Sequence, residues 1–124
     1  MANIVVATVR NATSTVLTAS AGAATFTIPC SGVGSDHRMV LMVDNTNTDV
    51  IVRANIAAGD GERSVLGALD VDIAISSFAF IPLTDSMRFK VATTDSVTVN
   101  LHDTADTALT AGPLANIKCA VIQG

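Results

Sequence analysis

The chain has 124 residues, a net charge of −4, 49% hydrophobic and only 15% charged residues. That length suits one domain and excludes two ordinary ones, and the acidic balance, with five Arg and two Lys scattered, argues against nucleic acid or an anionic membrane as partner. No apolar run approaches a membrane-spanning length, so the apolar surplus (mean hydropathy +0.51) is expected in a core or a subunit contact.

Val, Ile and Thr make up roughly a third of the chain, a balance that favours strands, and Glu occurs once, at Glu62. Trp and Tyr are absent, which counts against a glycan-binding or single-stranded nucleic-acid module built on aromatic platforms. A chain of this mass exposes about 6,200 Å² when folded against about 18,400 Å² unfolded, enough burial for a core without staples.

Asn3 to Val9 reads as a first strand, Asn11 to Ser14 as a turn and Thr15 to Thr18 as a second strand. The small residues Ala19 to Ala23 read as a loop, and residues 1–23 together as an N-terminal strand or arm. Ala24 to Pro29 alternates, with Phe26 and Ile28 on one face. Ser31 to His37 is a loop. Met39 to Val43 is apolar at every position, so both faces should be covered.

Asp44 to Asp49 is wholly small and polar and reads as a hairpin turn, with Val50 to Ile56 pairing back on the preceding strand. Ala57 to Ala68 is a long loop, a common place for contacts. Val71 to Ile75 alternates, and Phe78 to Leu83 follows as an apolar run counted in the core, Pro82 marking an edge or corner. Met87 to Val91 reads as a strand that places Arg88 and Lys90 on one face. Thr93 to Ser96 turns, and Val97, Val99 and Leu101 face one way. His102 to Ala115 is a loop with a weak helical turn, and Ile117 to Ile122 is the last strand. About nine or ten short strands with little helix define an all-β fold, a jelly roll or related Greek-key sandwich, as one domain over 1–124.

Each chemical constellation has a plainer alternative. Gly32-Val33-Gly34 begins like a dinucleotide loop but lacks the third glycine and a following helix. Asp44 to Asp49 fails the calcium-loop spacing: counting from Asn45, the sixth place is Val50 and the twelfth Ile56. Asp70 and Asp72 share a strand face, as acid–base or metal-binding carboxylates would, without His or Glu nearby in sequence. His37 and His102 lack patterned partners, and Asn11-Ala12-Thr13 matches a glycosylation acceptor without a secretory signal. Cys30 and Cys119 could pair if their strands are neighbours; two buried thiols is the other reading. No catalytic, cofactor or metal residue is assigned, and an enzyme is not expected.

One stretch carries a resemblance. The strand and turn Val40 to Thr46, the loop Ala58-Gly59-Asp60-Gly61, the segment Gly67 to Val71 and the corner Pro82-Leu83 with Arg88-Phe89-Lys90 resemble small capsid decoration, or cement, proteins of tailed bacteriophages. Where such proteins often have a glycine after the Arg-Phe-Lys strand, this chain has Thr93-Thr94-Asp95-Ser96. The resemblance covers about half the chain and implies a β-sandwich, often a homotrimer, that binds the coat protein on the outside of the head. A tail, neck or head-fibre component, or a small glycan- or ligand-binding module, are the alternatives. The arm Thr13 to Ala23 and the loop Ala57 to Leu69 are the expected contact segments.

Overall fold

The structure, a computed structural model, describes residues 2–3, 6–8, 18–19, 24–29, 39–83 and 86–123. Among the described residues eleven strand segments form two sheets, four of the segments being only two or three residues long. The chain is an all-β sandwich.

The first sheet runs β1 (Ala2–Asn3), β4 (Thr25–Pro29), β10 (Ser96–His102), β6 (Val52–Ile56), β7 (Leu69–Ile73), with β9 (Lys90–Val91) beside β10. The second runs β2 (Val6–Thr8), β11 (Ile117–Gln123), β5 (Met39–Asn45), β8 (Ser77–Pro82), with β3 (Thr18–Ala19) also on β11. Alternation supplies the core: Phe26 and Ile28, Met39, Leu41 and Val43, Val52, Ala54 and Ile56, Val97, Val99 and Leu101, and Ile117, Cys119 and Val121 join in one buried cluster.

Three long arms explain the wrap. β5 continues into β6, β7 into β8, and β10 into β11, and each arm leaves one sheet and enters the other at the same end of the sandwich. Neighbouring arms stay paired across the bend: β6 with β7 and β10, β5 with β8 and β11. At the opposite lateral edge the N-terminal segments pair in parallel, β1 on β4 and β2 on β11.

Four local expectations need correction. β6 does not fold back on β5; the two lie in different sheets, because Asn45 and Asn47 are buried at a bend instead of solvated at a hairpin tip. Met39 to Val43 buries only alternate positions; the outer face, Val40 and Met42, is half-buried. Met87 to Val91 is not one strand. Ser86–Phe89 makes a helical turn, short helix α1, and only Lys90–Val91 pairs, through Ser96↔Val91 and Val97↔Lys90. Here the carbonyls of Arg88 and Lys90 accept from the loop at Gly59 and Asp60, so they do not serve a longer ladder. Finally, Phe78 and Phe80 are not core. The run is apolar on both parities, and β8 turns Ala79 and Ile81 inward, leaving both rings outside.

The Thr93–Ser96 turn works without glycine because Asp95 takes the left-handed conformation, φ 50°, which Asp tolerates better than most residues. Pro82 lies on an edge strand, where a missing N–H is cheapest. A helical turn, α2 (Ala111–Leu114), interrupts the last connection.

Candidate interaction surface

The outer faces of the two sheets differ in kind. On the first sheet, polar side chains from four adjacent strands bond in a row. Thr25 Oγ1 donates to Asn100 Oδ1 (2.8 Å), Asn100 Nδ2 to Asn55 Oδ1 (3.1 Å), and Asn55 Nδ2 to Asp70 Oδ1 (2.7 Å). In the next row Arg53 pairs with Asp72 (2.8 Å) and Asp106 (2.9 Å). The hydrogen bonds to these carboxylates hold the Arg53 guanidinium more firmly protonated than usual, and the bond from Arg53 holds the Asp72 carboxyl below its ordinary range. Asp70 and Asp72 do share a face, but each is bound to a different cross-strand partner, so they do not make a carboxylate dyad.

The outer face of the second sheet is apolar along β8 and carries Asp44 on β5 opposite Lys118 on β11. β8 contributes Phe78 (66% exposed) and Phe80 (59% exposed), whose rings meet edge to face at 5.5 Å. Beside them on β5 stand Asp44, Met42 and Val40, opposite Phe78, Phe80 and Pro82. Ile75, just before β8, is also exposed. The signal in the sequence was Phe78 and Phe80 sharing parity on a strand that carries Pro82.

The loop Ala57 to Leu69 offers a second apolar surface, and it is fastened at its base. Gly59 N–H donates to the Arg88 carbonyl (2.7 Å) and Asp60 N–H to the Lys90 carbonyl (3.3 Å). Asp60 Oδ1 accepts from Ala92 N–H (2.9 Å). Arg88 reaches back, donating from Nε to the Gly67 carbonyl (2.9 Å) and from Nη2 to the Ala68 carbonyl (3.1 Å), with its guanidinium 4.8 Å from the Phe89 ring centre. A Cβ at residue 59 would stand 2.1 Å from the Lys90 carbonyl oxygen, so only glycine allows this approach. Two motifs that read separately in sequence, Ala-Gly-Asp-Gly and Arg-Phe-Lys, are therefore two halves of one staple. Its 3-10 turn, Ser64–Leu66, holds Val65 (88% exposed) and Leu66 (52% exposed) outward.

Sequence reasoning missed a third feature, the buried amide cluster at the bend. Asn45 Nδ2 donates to the carbonyls of Val50 (2.9 Å), Ile73 (3.2 Å) and Ala74 (3.2 Å). Its Oδ1 accepts from the main-chain N–H (3.1 Å) and Nδ2 (2.9 Å) of Asn47. Asn47 Nδ2 also donates to the Pro113 carbonyl (3.1 Å), and Asn116 Nδ2 donates to Asn47 Oδ1 (3.2 Å). All three arms are thus tied at the bend. Ser76, at φ 53°, donates its N–H to the Asn47 carbonyl there (2.9 Å).

A shallow cleft of about 350 Å³ lies beside the bend, lined by Asp49, Ile51, Asp103, Thr107, Leu109 and others, with no aromatic ring in its wall. Asp103 Oδ1 is engaged by the N–H groups of Ala105 and Thr107. Among the described residues no cluster of His, Cys, Asp and Glu could hold a metal ion, and no helix is long and apolar enough to cross a membrane. Lys90 Nζ pairs with Asp95 (3.1 Å). His102 sits on β10 opposite Arg53. Cys119 is buried in the core, and burial pushes its thiol up to about 12. Cys30, Gly32-Val33-Gly34, His37, Asn11-Ala12-Thr13 and all of the arm Thr13 to Ala23 except β3 lie outside the described residues.

Fold and surface together define a β-sandwich with one self-bonded polar face, an exposed aromatic edge strand on the other face and a stapled apolar loop. Compared with known proteins, the chain matches no family model, no curated protein and no solved structure.

Proposed function

We propose that this chain is a non-enzymatic structural protein of a bacteriophage virion, of the capsid decoration type, which binds coat protein on the outside of the head and stabilises the shell. The observation that carries this reading is the stapled loop. Fixing a loop at Gly59, Asp60 and Arg88 while holding Val65 and Leu66 in water is costly unless something covers them, and a rigid apolar tip loses little entropy when it docks. Two of the three motifs that carry the resemblance of the sequence to decoration proteins, Ala-Gly-Asp-Gly and the corner with Arg-Phe-Lys, build this staple. A small contact of this sort is weak alone and becomes strong when repeated over a symmetric lattice.

The test is co-sedimentation of the purified chain with heads assembled from the coat protein of the phage that encodes it. Saturable binding is expected, and a chain carrying Val65→Ser and Leu66→Ser should bind at least tenfold more weakly while melting at the same temperature. Absence of binding to both expanded and unexpanded heads would reject the decoration reading. Full binding by the double variant would remove the loop from the contact.

A further inference from the structure

We propose that β8 is a self-association edge, through which two copies of the chain pair antiparallel about a two-fold axis. This stands apart from capsid binding, which was assigned to the loop at Ser64–Leu66.

The two lateral edges of the sandwich are treated differently. On one side β1 and β2 lie against β4 and β11 and cover them. On the other, β8 ends the second sheet with no described strand beside it. Which main-chain groups it leaves open follows from its ladder with β5. Leu83 N–H donates to the Met39 carbonyl (2.8 Å), so the odd-numbered residues of β8 bond to β5. The N–H and C=O groups of Phe78 and Phe80 therefore point to the open edge, together with the carbonyl of Pro82.

Edges that must stay single normally carry charge, Pro, a bulge or a cover, and the Pro of this edge, Pro82, stands at its end and leaves Phe78 and Phe80 unguarded. The strand Ser77–Pro82 has no charged residue, and its two outward rings are the kind of side chain that pairs across strands. Setting Phe78 opposite Phe80 of a second copy makes four main-chain hydrogen bonds and leaves no open donor or acceptor on either residue. Pro82 then falls beyond the paired stretch, where its missing N–H costs nothing. The outer side chains stack as two cross-strand Phe–Phe pairs on one continuous surface. With roughly 200 Å² per ring and about six-tenths of it exposed, four rings offer about 500 Å², of which the flanks facing the partner strand are covered. The contact is small, held by main-chain bonds and these flanks, and is the size of a weak, concentration-dependent pair. The second copy is favoured over an unrelated strand because this pattern is its own complement: an uncharged edge with Phe at positions two apart fits itself when inverted. The result is a two-fold pair, not the three-fold ring that the sequence resemblance implies.

The experiment is light scattering on a sizing column over a concentration series, with cross-linking to fix the register. The expected mass rises with concentration from 12.7 kDa towards twice that, 25.4 kDa. On a Cys30→Ala background, chains carrying Phe78→Cys and chains carrying Phe80→Cys should form a disulfide dimer when mixed and oxidised. Neither alone should do so, because only the mixed pair stands directly opposite, about 5.5 Å between Cα atoms. A monomer at every concentration, or a stable trimer of 38.1 kDa (three times 12.7 kDa), overturns the proposal. So does cross-linking of either variant by itself as readily as of the mixture.

Discussion

Replacing Asn45 by Asp changes one group at the centre of the bend. Asn45 is wholly buried, and its NH₂ faces three carbonyl oxygens at 2.9, 3.2 and 3.2 Å. Its own oxygen faces two donors of Asn47, which fixes the amide orientation. Asn45→Asp keeps the shape and puts an oxygen where the donor was. Ionised, the new carboxylate has carbonyls on one side and no cation among the described partners; an uncompensated buried charge costs about 3–5 kcal/mol, a large share of the 5–15 kcal/mol typical of a domain. Protonated, it can donate one hydrogen bond, and the cost falls to that of a poorly satisfied polar group, about 1–3 kcal/mol. The sign with pH follows. Burial raises the introduced carboxyl in the folded state above its unfolded value of about 3.9. The folded variant then binds more protons than the unfolded, so its stability falls as pH rises through that window and recovers below it. Urea unfolding of both chains, at about pH 7 and about pH 4.5, measures the difference. A loss under about 1 kcal/mol at neutrality, or a loss that does not change with pH, would refute the buried-donor account of the bend.

Three further outcomes are expected. Gly59→Ala forces a Cβ to within 2.1 Å of the Lys90 carbonyl oxygen and 2.7 Å of the Phe89 carbonyl carbon; it should cost about 2 kcal/mol and speed amide exchange in the loop, and an unchanged melting temperature would contradict the staple. The Asp72 carboxyl should titrate below its ordinary 3.8 by NMR and move back towards it in Arg53→Met, since Arg53 favours the charged form; the small stability this adds is present above the unfolded value and lost as pH falls through the folded one. Cys119, with its thiol pushed up to about 12, should resist thiol reagents in the folded Cys30→Ala chain at about pH 8 and react once urea is added; rapid labelling without denaturant would show that it is not buried.

Alternation made most of the strands legible. Phe26 with Ile28, Val97 with Val99 and Leu101, and Asp70 with Asp72 all stand on the faces their spacing implied. The bend was not legible, because its partners lie far away in sequence. Asn45 continues the buried parity of Met39, Leu41 and Val43, yet nothing local shows that Ile73, Ala74 and Pro113 will supply its carbonyls and those of Asn47. A run of small polar residues reads as solvated unless those distant partners are known. The same holds for Arg88, which alternation places on a solvated strand face and which Gly67 and Ala68 recruit for the staple. Phe78 to Leu83 was ambiguous for another reason: a strand apolar on both parities does not say which side is inside.

The place of β11 sets the order in which the fold can be completed. It is an interior strand of the second sheet, paired along all seven residues with β5, whose partners lie some seventy to eighty positions earlier, and it also carries β2. A nascent chain halted before Ile117 has β5 and β8 but nothing to hold the other side of β5, and β2 has no strand to join. Closure of the second sheet therefore waits on β11, and long-range closure of this kind is slow. A fragment that ends before Ile117 holds all the strands of the first sheet but cannot complete the second, so an unfinished copy has no completed β-sandwich to offer an assembly.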